Sequence, residues 1–396
     1  MMRDEAYNIN PLILMNAYRF ALKDCVDTTA HYVGQEYVLF RYNEIVEFLG
    51  VFQLKSLKPF RKTALMDLGN IPKNVLVLPI GICYVPTDNQ YKKLGNIFYN
   101  PVKKIIAKNR FDFNIIHAHF TWPQGYAGAR LKEEFGTPFV VTGHGYDVYS
   151  LPFKDHEWQE KIEYVLNTAD HVITVSQSNL ACIKKLDVST PVTVIPNGFR
   201  SDLFYPRDSS ECRKLLNLTQ DKKIILTVGN LEPVKGQKYL VEAVQRIVRE
   251  RKDILCVIVG AGKLRTALER QIHSLGLEDY VMLAGGKPHD EIPLWMNACD
   301  LFVLPSLNEG NPTVMFEALG CGKPFVGTRV GGVPEVVTSD EYGLLVEPAD
   351  PDDLAKKILV ALDREWDREA ILRYAERFTW EKIAKEIVGV YEWVLG

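Results

Sequence analysis

The chain has 396 residues, 47% of them apolar, and a formal net charge of −3. That is enough for two domains with ordinary cores, and it excludes a disordered chain and a basic nucleic-acid-binding protein. Seven scattered cysteines without a C-x-x-C pair, and a polar, acidic start M-M-R-D-E-A-Y-N, read as a cytoplasmic protein with reduced thiols and no secretory leader. The longest apolar run, V-L-V-L-P-I-G-I-C-Y-V-P from Val75, is too short to span a bilayer.

L-I-L-M-N from Leu12 is the expected first strand; residues 1–29 carry no other usable signal. Q-E-Y-V-L-F-R-Y-N-E-I-V-E-F-L-G, preceded by Gly34, reads as the first helix. The connection between them, roughly twenty residues, is long for such folds. From Val51 to Arg110 eleven basic residues (Lys55, Lys58, Arg61, Lys62, Lys73, Lys92, Lys93, Lys103, Lys104, Lys108 and Arg110) face only Asp67 and Asp88, with Phe52, Phe60, Phe98 and Tyr99 between them. This region is either a solvated basic face or a surface for an anionic membrane or acceptor.

Strands are then expected from Val75, Phe113, Pro138, His171 and Val192, and in the second half from Ile224, Ile254, Val281, Leu301, Pro324 and Gly343. Near-continuous apolar strands alternating with amphipathic helices imply parallel sheets covered on both faces, an α/β architecture. The turn-rich stretch 196–206 marks the boundary, giving domains 1–198 and 199–375 and a terminal helix within 376–396.

E-G-N-P-T-V-M-F-E, residues 309–317, narrows function most. Pro312 suits a first helical turn, so Glu309 belongs to the loop after a strand and Glu317 to the helix that follows. Two carboxylates then flank a helix N-terminus that favours an anion, a suitable place for a sugar nucleotide. The plainer reading is a solvated loop glutamate and a helix-dipole glutamate. His117 and His119 alternate on one strand and share a face; no third ligand accompanies them at a supporting spacing, so no metal is expected. The only Asp-x-Asp pair, Asp350 and Asp352 around Pro351, reads as a capped helix start.

Taken together with V-I-P-N-G-F, F-Y-P, V-G-N-L-E-P-V-K-G, H-A-H-F, V-T-G-H-G and G-T-R-V-G-G-V-P-E-V-V, this segment resembles the retaining glycosyltransferases of family 4, from about Gly34 onward. The resemblance implies the GT-B fold: two Rossmann-like, doubly wound parallel-sheet domains facing across a cleft, with the terminal helix crossing back to the first. It implies a hexosyl transfer from a UDP- or GDP-sugar to a glycan or lipid-linked hydroxyl, with no cofactor and no metal; an acceptor at the cytoplasmic membrane face would account for the basic first domain. A sugar phosphorylase, a sugar-nucleotide epimerase or a non-catalytic nucleotide-sugar-binding subunit are the alternatives on the same fold.

By that resemblance Lys235 and the amides of Thr313 and Val314 behind Pro312 meet the diphosphate. Glu309, with the backbone of Asn311 to Thr313, binds the sugar hydroxyls. Glu317 binds the ribose, and His144 contacts the sugar near the reacting centre. Asp147 is a weaker candidate for orienting acceptor hydroxyls. Gly285 and Gly286 open a loop, 285–289, that with 121–125 helps set donor and acceptor choice. Two departures stand out. Asn230 occupies the place of a usual arginine, with Lys263, Arg265 or Lys287 as substitutes. The first-domain loop, normally glycine-rich, is reduced to Gly34 after Val33.

Overall fold

A computed structural model of the chain describes residues 8–49 and 60–396. They fall into two compact units, divided between residues 197 and 198 and again between 379 and 380, so that the final helix Trp380–Leu395 belongs to the first. The first unit is built on seven parallel strands: β1 (Pro11–Met15), β2 (Glu36–Asn43), β3 (Val75–Ile82), β4 (Ile115–His119), β5 (Phe139–Gly143), β6 (His171–Thr174) and β7 (Val192–Val194). Their spatial order is β3-β2-β1-β4-β5-β6-β7, which reverses direction between β1 and β4.

Successive residues of these strands alternate between two buried layers. Leu12 and Leu14 of β1, with Ile116 and Ala118 of β4, join Phe98, Leu131 and Trp158 on one face. On the other face Ile13 and Met15 pack with Val38 and Phe40, and Ile115, Val140 and Ile173 meet Trp380, Ile383 and Ile387 of the terminal helix. Both faces of the parallel sheet are thus covered, which is why its strands are apolar at nearly every position.

The segment 35–50 departs from the helix read in the sequence. Glu36–Asn43 is a strand and only Glu44–Leu49 is helical. β2 lies between β1 and β3, with Leu39 in register with both Leu14 and Leu78, so Tyr-Val-Leu-Phe gains two ladders and two packed faces. The first helix is Phe20–Thr29, inside the stretch that looked like an overlong connection.

Gly34 is displaced from its expected role by the same correction. Its N–H donates to the Ile9 carbonyl (2.8 Å) and its carbonyl accepts from Asn74 Nδ2 (2.7 Å), just ahead of β1 and β3. It therefore sits where the strands begin, the edge opposite the ligand-binding edge of a doubly wound sheet. The loop that does leave β1 at the ligand-binding edge, Asn16 to Arg19, has no glycine, and Phe20 takes the left-handed backbone (φ 53°) instead.

The second unit has six parallel strands: β8 (Lys223–Val228), β9 (Ile254–Val259), β10 (Val281–Gly285), β11 (Leu301–Leu304), β12 (Phe325–Thr328) and β13 (Gly343–Val346). The order β10-β9-β8-β11-β12-β13 reverses between β8 and β11. Asp350 caps the Pro351–Asp363 helix through the amides of Asp352 and Asp353, both at 3.0 Å, as the D-P-D reading requires.

One buried acid sets a pH dependence. Glu36 is fully buried at the start of β2; Oε1 accepts from Thr29 Oγ1 (2.8 Å) and Oε2 has no partner among the described residues. Burial, reinforced by Asp27, pushes its carboxyl up to about 8. The folded chain keeps this proton after the unfolded chain has released it, so this contribution to stability is full below the ordinary carboxylate range and is lost as pH rises to about 8. Glu36→Gln should flatten the fall in urea midpoint between pH ~5 and ~8.5. An unchanged slope would refute the assignment.

Candidate functional site

In doubly wound sheets ligands bind outside the carboxyl ends of the strands, where the strand order reverses. In the second unit that place is the end of β8 beside the end of β11. After β8 the chain makes a short 3-10 turn, Pro233–Lys235, whose Val234 carbonyl accepts from Leu307 N–H (2.7 Å) beyond β11. Gly236 closes the turn at φ 65°, and a Cβ there would stand 1.9 Å from the Pro305 carbonyl oxygen, so only glycine permits the approach. The two loops are thereby locked together, and Lys235 Nζ reaches Glu309 Oε1 at 2.7 Å. Ser306 Oγ donates to the same oxygen (2.6 Å). Glu309 is buried, and a third loop supports it: Gly332 N–H donates to the Gly310 carbonyl (2.9 Å), and a Cβ on Gly331 would lie 1.7 Å from the Glu309 carbonyl.

Helix Thr313–Gly320 begins here behind Pro312, with Asn311 buried. No side chain caps it and its first turn carries no acid, unlike Pro351–Asp363 or Arg368–Ala375, which Asp350 and Asp367 cap. The amides of Thr313 and Val314 therefore keep the anion-attracting character of a helix start. One turn further, Glu317 is buried and accepts from or pairs with His289 Nε2 at 3.0 Å. Gly285 (φ 78°) and Gly286 leave the end of β10, two strands from the reversal. The Gly285 carbonyl accepts from Gly260 N–H (2.9 Å).

Asn230 is exposed, and its carbonyl accepts from Gln237 Nε2 (3.0 Å). The three candidate substitute cations each hold a carboxylate: Lys263 with Glu232 (2.7 Å), Arg265 with Glu269 (2.8 Å) and Lys287 with Glu291 (3.2 Å). Through Glu232, Lys263 is tied to the loop that carries Asn230.

In the first unit the reacting edge holds histidines. His119 ends β4 and His144 follows β5; His119 Nδ1 and His144 Nε2 are 3.1 Å apart. His117, on the same face, bonds Tyr391 Oη (2.6 Å) of the terminal helix and Thr142 Oγ1 (2.7 Å). Burial lowers all three, His117 to about 3, His144 to about 4 and His119 well below the usual range, so each imidazole is neutral at pH 7. Among the described residues no three His, Cys, Asp or Glu side chains gather as a metal-holding group.

Asp147 is not free to orient an acceptor. Oδ1 accepts from the amides of His144 (3.1 Å) and Gly145 (2.9 Å), and Oδ2 from Thr121 (2.9 Å). It ties the loop after β5 to the loop after β4.

Residues 208–378 match the family of glycosyl transferases group 1, and residues 66–203 match Glycosyltransferase Family 4. A relative from Methanocaldococcus jannaschii, named an uncharacterised glycosyltransferase, is 30% identical over 298 residues, covering 74% of this chain and 79% of its own. The chain belongs to glycosyltransferase family 4. Among solved structures, a sucrose-phosphate synthase from Thermosynechococcus elongatus superimposes with a TM-score of 0.77 at 24% identity, covering 98% of this chain and 99% of that one. The Anabaena protein HepE in complex with UDP gives 0.73 at 22%, covering 97% and 100%. These two likenesses establish the GT-B fold of the glycosyltransferase.

Ser306, His289 and Tyr391 are the members of these clusters that the motifs did not single out. Ser306 sits directly after a strand at the reversal, a position that could have marked it; His289 closes the 285–289 loop; Tyr391 is legible only once the terminal helix is docked.

The loop geometry makes a graded test. Gly276 (φ 64°) has open space around its Cβ position, whereas Gly331 (φ 50°) has the Glu309 carbonyl in it. Gly276→Ala should cost this glycosyltransferase only the backbone term, about 1–2 kcal/mol. Gly331→Ala should cost clearly more in urea unfolding, because the Glu309 loop must move. Equal costs would show that the contact is slack.

Proposed function

We propose that this chain transfers a hexosyl group, with retention, from a UDP- or GDP-sugar to a hydroxyl of a glycan or lipid-linked acceptor, using neither a resident metal nor a cofactor. The observation that carries this reading is the Lys235–Glu309 pair beside an uncapped helix start, at the point where the strand order reverses. The Anabaena protein of the same fold, described in complex with UDP, supports the uridine nucleotide as the first to test.

In this reading the bond from the sugar's anomeric carbon to the β-phosphate oxygen breaks, and a bond to the acceptor oxygen forms on the same face. The acceptor's proton passes to the leaving phosphate. Charge grows on that phosphate as the sugar becomes oxocarbenium-like. Lys235 and the Thr313 and Val314 amides stabilise it, and their energy counts only as far as it exceeds what they give the ground state. Glu309, acceptor-only and fixed by Ser306, takes hydrogen bonds from the sugar hydroxyls, and Glu317 takes the ribose diol. His144, part-exposed and neutral, meets a hydroxyl near the reacting carbon.

Asn230 favours a second reading, a binding subunit that keeps the nucleotide without turnover, because it places an uncharged, exposed amide on the β8 loop. One experiment separates these. UDP-, GDP- and ADP-sugars are offered with glycan and lipid acceptors, and nucleotide release and calorimetric binding are followed together. Transfer should appear with one donor, and Lys235→Met should lower kcat roughly 10²–10³-fold. Binding without release would favour the subunit. Phosphate-dependent disaccharide breakdown or an epimerised free donor would favour the phosphorylase or epimerase. Neither binding nor release would refute the proposal.

We further propose peripheral contact with the cytoplasmic membrane face. No helix among the described residues is long and apolar enough to cross a membrane. Lys55, Lys58 and Phe52 lie outside the described residues. Of the other basic residues, Lys92 is bound by Asp88, Asp155 and Glu157, Lys103 by Glu134, and Arg61 by Glu47. Lys93, Lys104 and Lys108 remain exposed on the Asp88–Asn109 helix, and Phe48 (71%) and Phe60 (59%) are exposed on either side of residues 50–59. Binding to vesicles containing anionic lipid should fall steeply towards 1 M salt, where the screening length is roughly 3 Å. Equal binding to neutral vesicles, or none to either, would remove this part.

A further inference from the structure

Four polar side chains share the face of the first sheet that the Phe20–Thr29 and Trp380–Leu395 helices cover. His117 and His119 alternate along β4, and Thr142 and His144 alternate at the end of β5. His117 is satisfied at both nitrogens, by Tyr391 and Thr142. His119 is 3% exposed, while His144 is part-exposed. The His119 and His144 rings lie 5.3 Å apart and 22° from parallel, joined by the 3.1 Å contact between Nδ1 and Nε2. Phe120 packs against His144 at 4.6 Å, and Asp147 pins the His144 backbone.

Two neutral imidazoles meeting nitrogen to nitrogen need one donor and one acceptor. In the first arrangement His144 carries its proton on Nε2 and donates to a bare His119 Nδ1. In the second, His119 carries its proton on Nδ1 and His144 is protonated on Nδ1. The first leaves both rings in the Nε2–H tautomer, which imidazole side chains ordinarily prefer; the second requires the rarer tautomer twice.

Resting on the transferase reading above, we propose that His119 is a positioning residue. It accepts from His144 Nε2–H, fixes that ring's plane and tautomer, and leaves His144 Nδ1 as a bare acceptor for a substrate hydroxyl. His144 is then a hydrogen-bond acceptor, and the hydroxyl it meets must donate. This sets a specificity rule. A substrate analogue in which that hydroxyl is O-methylated loses the contact, while one bearing an amine in its place retains a donor.

The test uses the full chain. Long-range ¹H–¹⁵N spectra of the wild type should show His144 with a bare Nδ1 and a protonated Nε2. His119→Leu should leave a mixture of tautomers, and His119→Asn, whose side-chain oxygen can accept in place of Nδ1, should restore the single form. In transfer assays with the natural donor, His119→Leu should lower kcat some 10–100-fold with little change in the donor's KM, a loss of the size general for positioning a reacting group. His119→Asn should recover most of it.

The double variant His119→Leu/His144→Ala should be no slower than His144→Ala alone, because His119 acts through His144. A protonated Nδ1 on His144 in the wild type would overturn the proposal, as would losses that multiply in the double variant. If no sugar nucleotide supports turnover the transferase reading fails, and the spectra still decide the tautomer on their own.

Discussion

Everything at the second unit's ligand edge depends on one ion pair, Lys235 with Glu309. The two residues are 74 positions apart, and they meet because β8 and β11 are neighbours where the sheet reverses. Glu309 is buried, so its charge is costly without partners, and Lys235 and Ser306 both serve one oxygen. Breaking such a pair from one side leaves an uncompensated buried charge, a loss of about 3–5 kcal/mol. The intact pair holds a cation and an acceptor side by side before any ligand arrives. An ammonium has three N–H groups, so Lys235 can hold Glu309 and a phosphate oxygen at once. The carboxylate anchors the lysine through Oε1, and in the proposed transfer its other oxygen meets the sugar hydroxyls.

Much of this was legible in the sequence because it rests on local chemistry. Pro312 in a first turn and Asp350 ahead of Pro351 each announce a helix start that few other residues favour. Apolar strands in alternation with helices announce a parallel sheet. What the sequence hid was set by tertiary pairing. Residues 36–43 carry a mixed period, and only the two neighbouring strands decide that they extend. Gly34 looked like part of a ligand loop because its segment was read as a helix following that loop. Once the segment is a strand, the glycine falls at the strand's start, on the far edge of the sheet. Asp147 looked free because nothing in the sequence shows that three backbone amides turn towards it.

Charge runs were the least legible feature. The basic stretch between residues 51 and 110 counts eleven cations against two acids along the chain, but space brings in Glu47, Glu134, Asp155 and Glu157 from other segments. Exposed pairs of this kind contribute only about 0–1 kcal/mol each, so their effect on stability is small. Their effect on the surface potential is larger, because each cancels a cation that the linear count had assigned to a partner. Of the exposed cations, Lys93, Lys104 and Lys108 lie on one long helix whose other side packs into the core through Leu94, Phe98 and Val102.

The two units solve a common problem in opposite ways. In the second, a buried carboxylate is paired with a lysine at the edge where the strand order reverses. In the first, burial strips charge from three histidines, and the terminal helix supplies Tyr391 to satisfy the deepest of them. A phenol held far above its ordinary range keeps its proton, so Tyr391 Oη has an O–H to offer His117 Nδ1, while His117 Nε2 meets Thr142 Oγ1. That leaves His119 and His144 partnered with each other, and His144 as the one of the three with access to solvent. In the transfer proposed above, an imidazolium on His144 would repel the positive charge that develops on the sugar, and burial keeps this ring neutral instead.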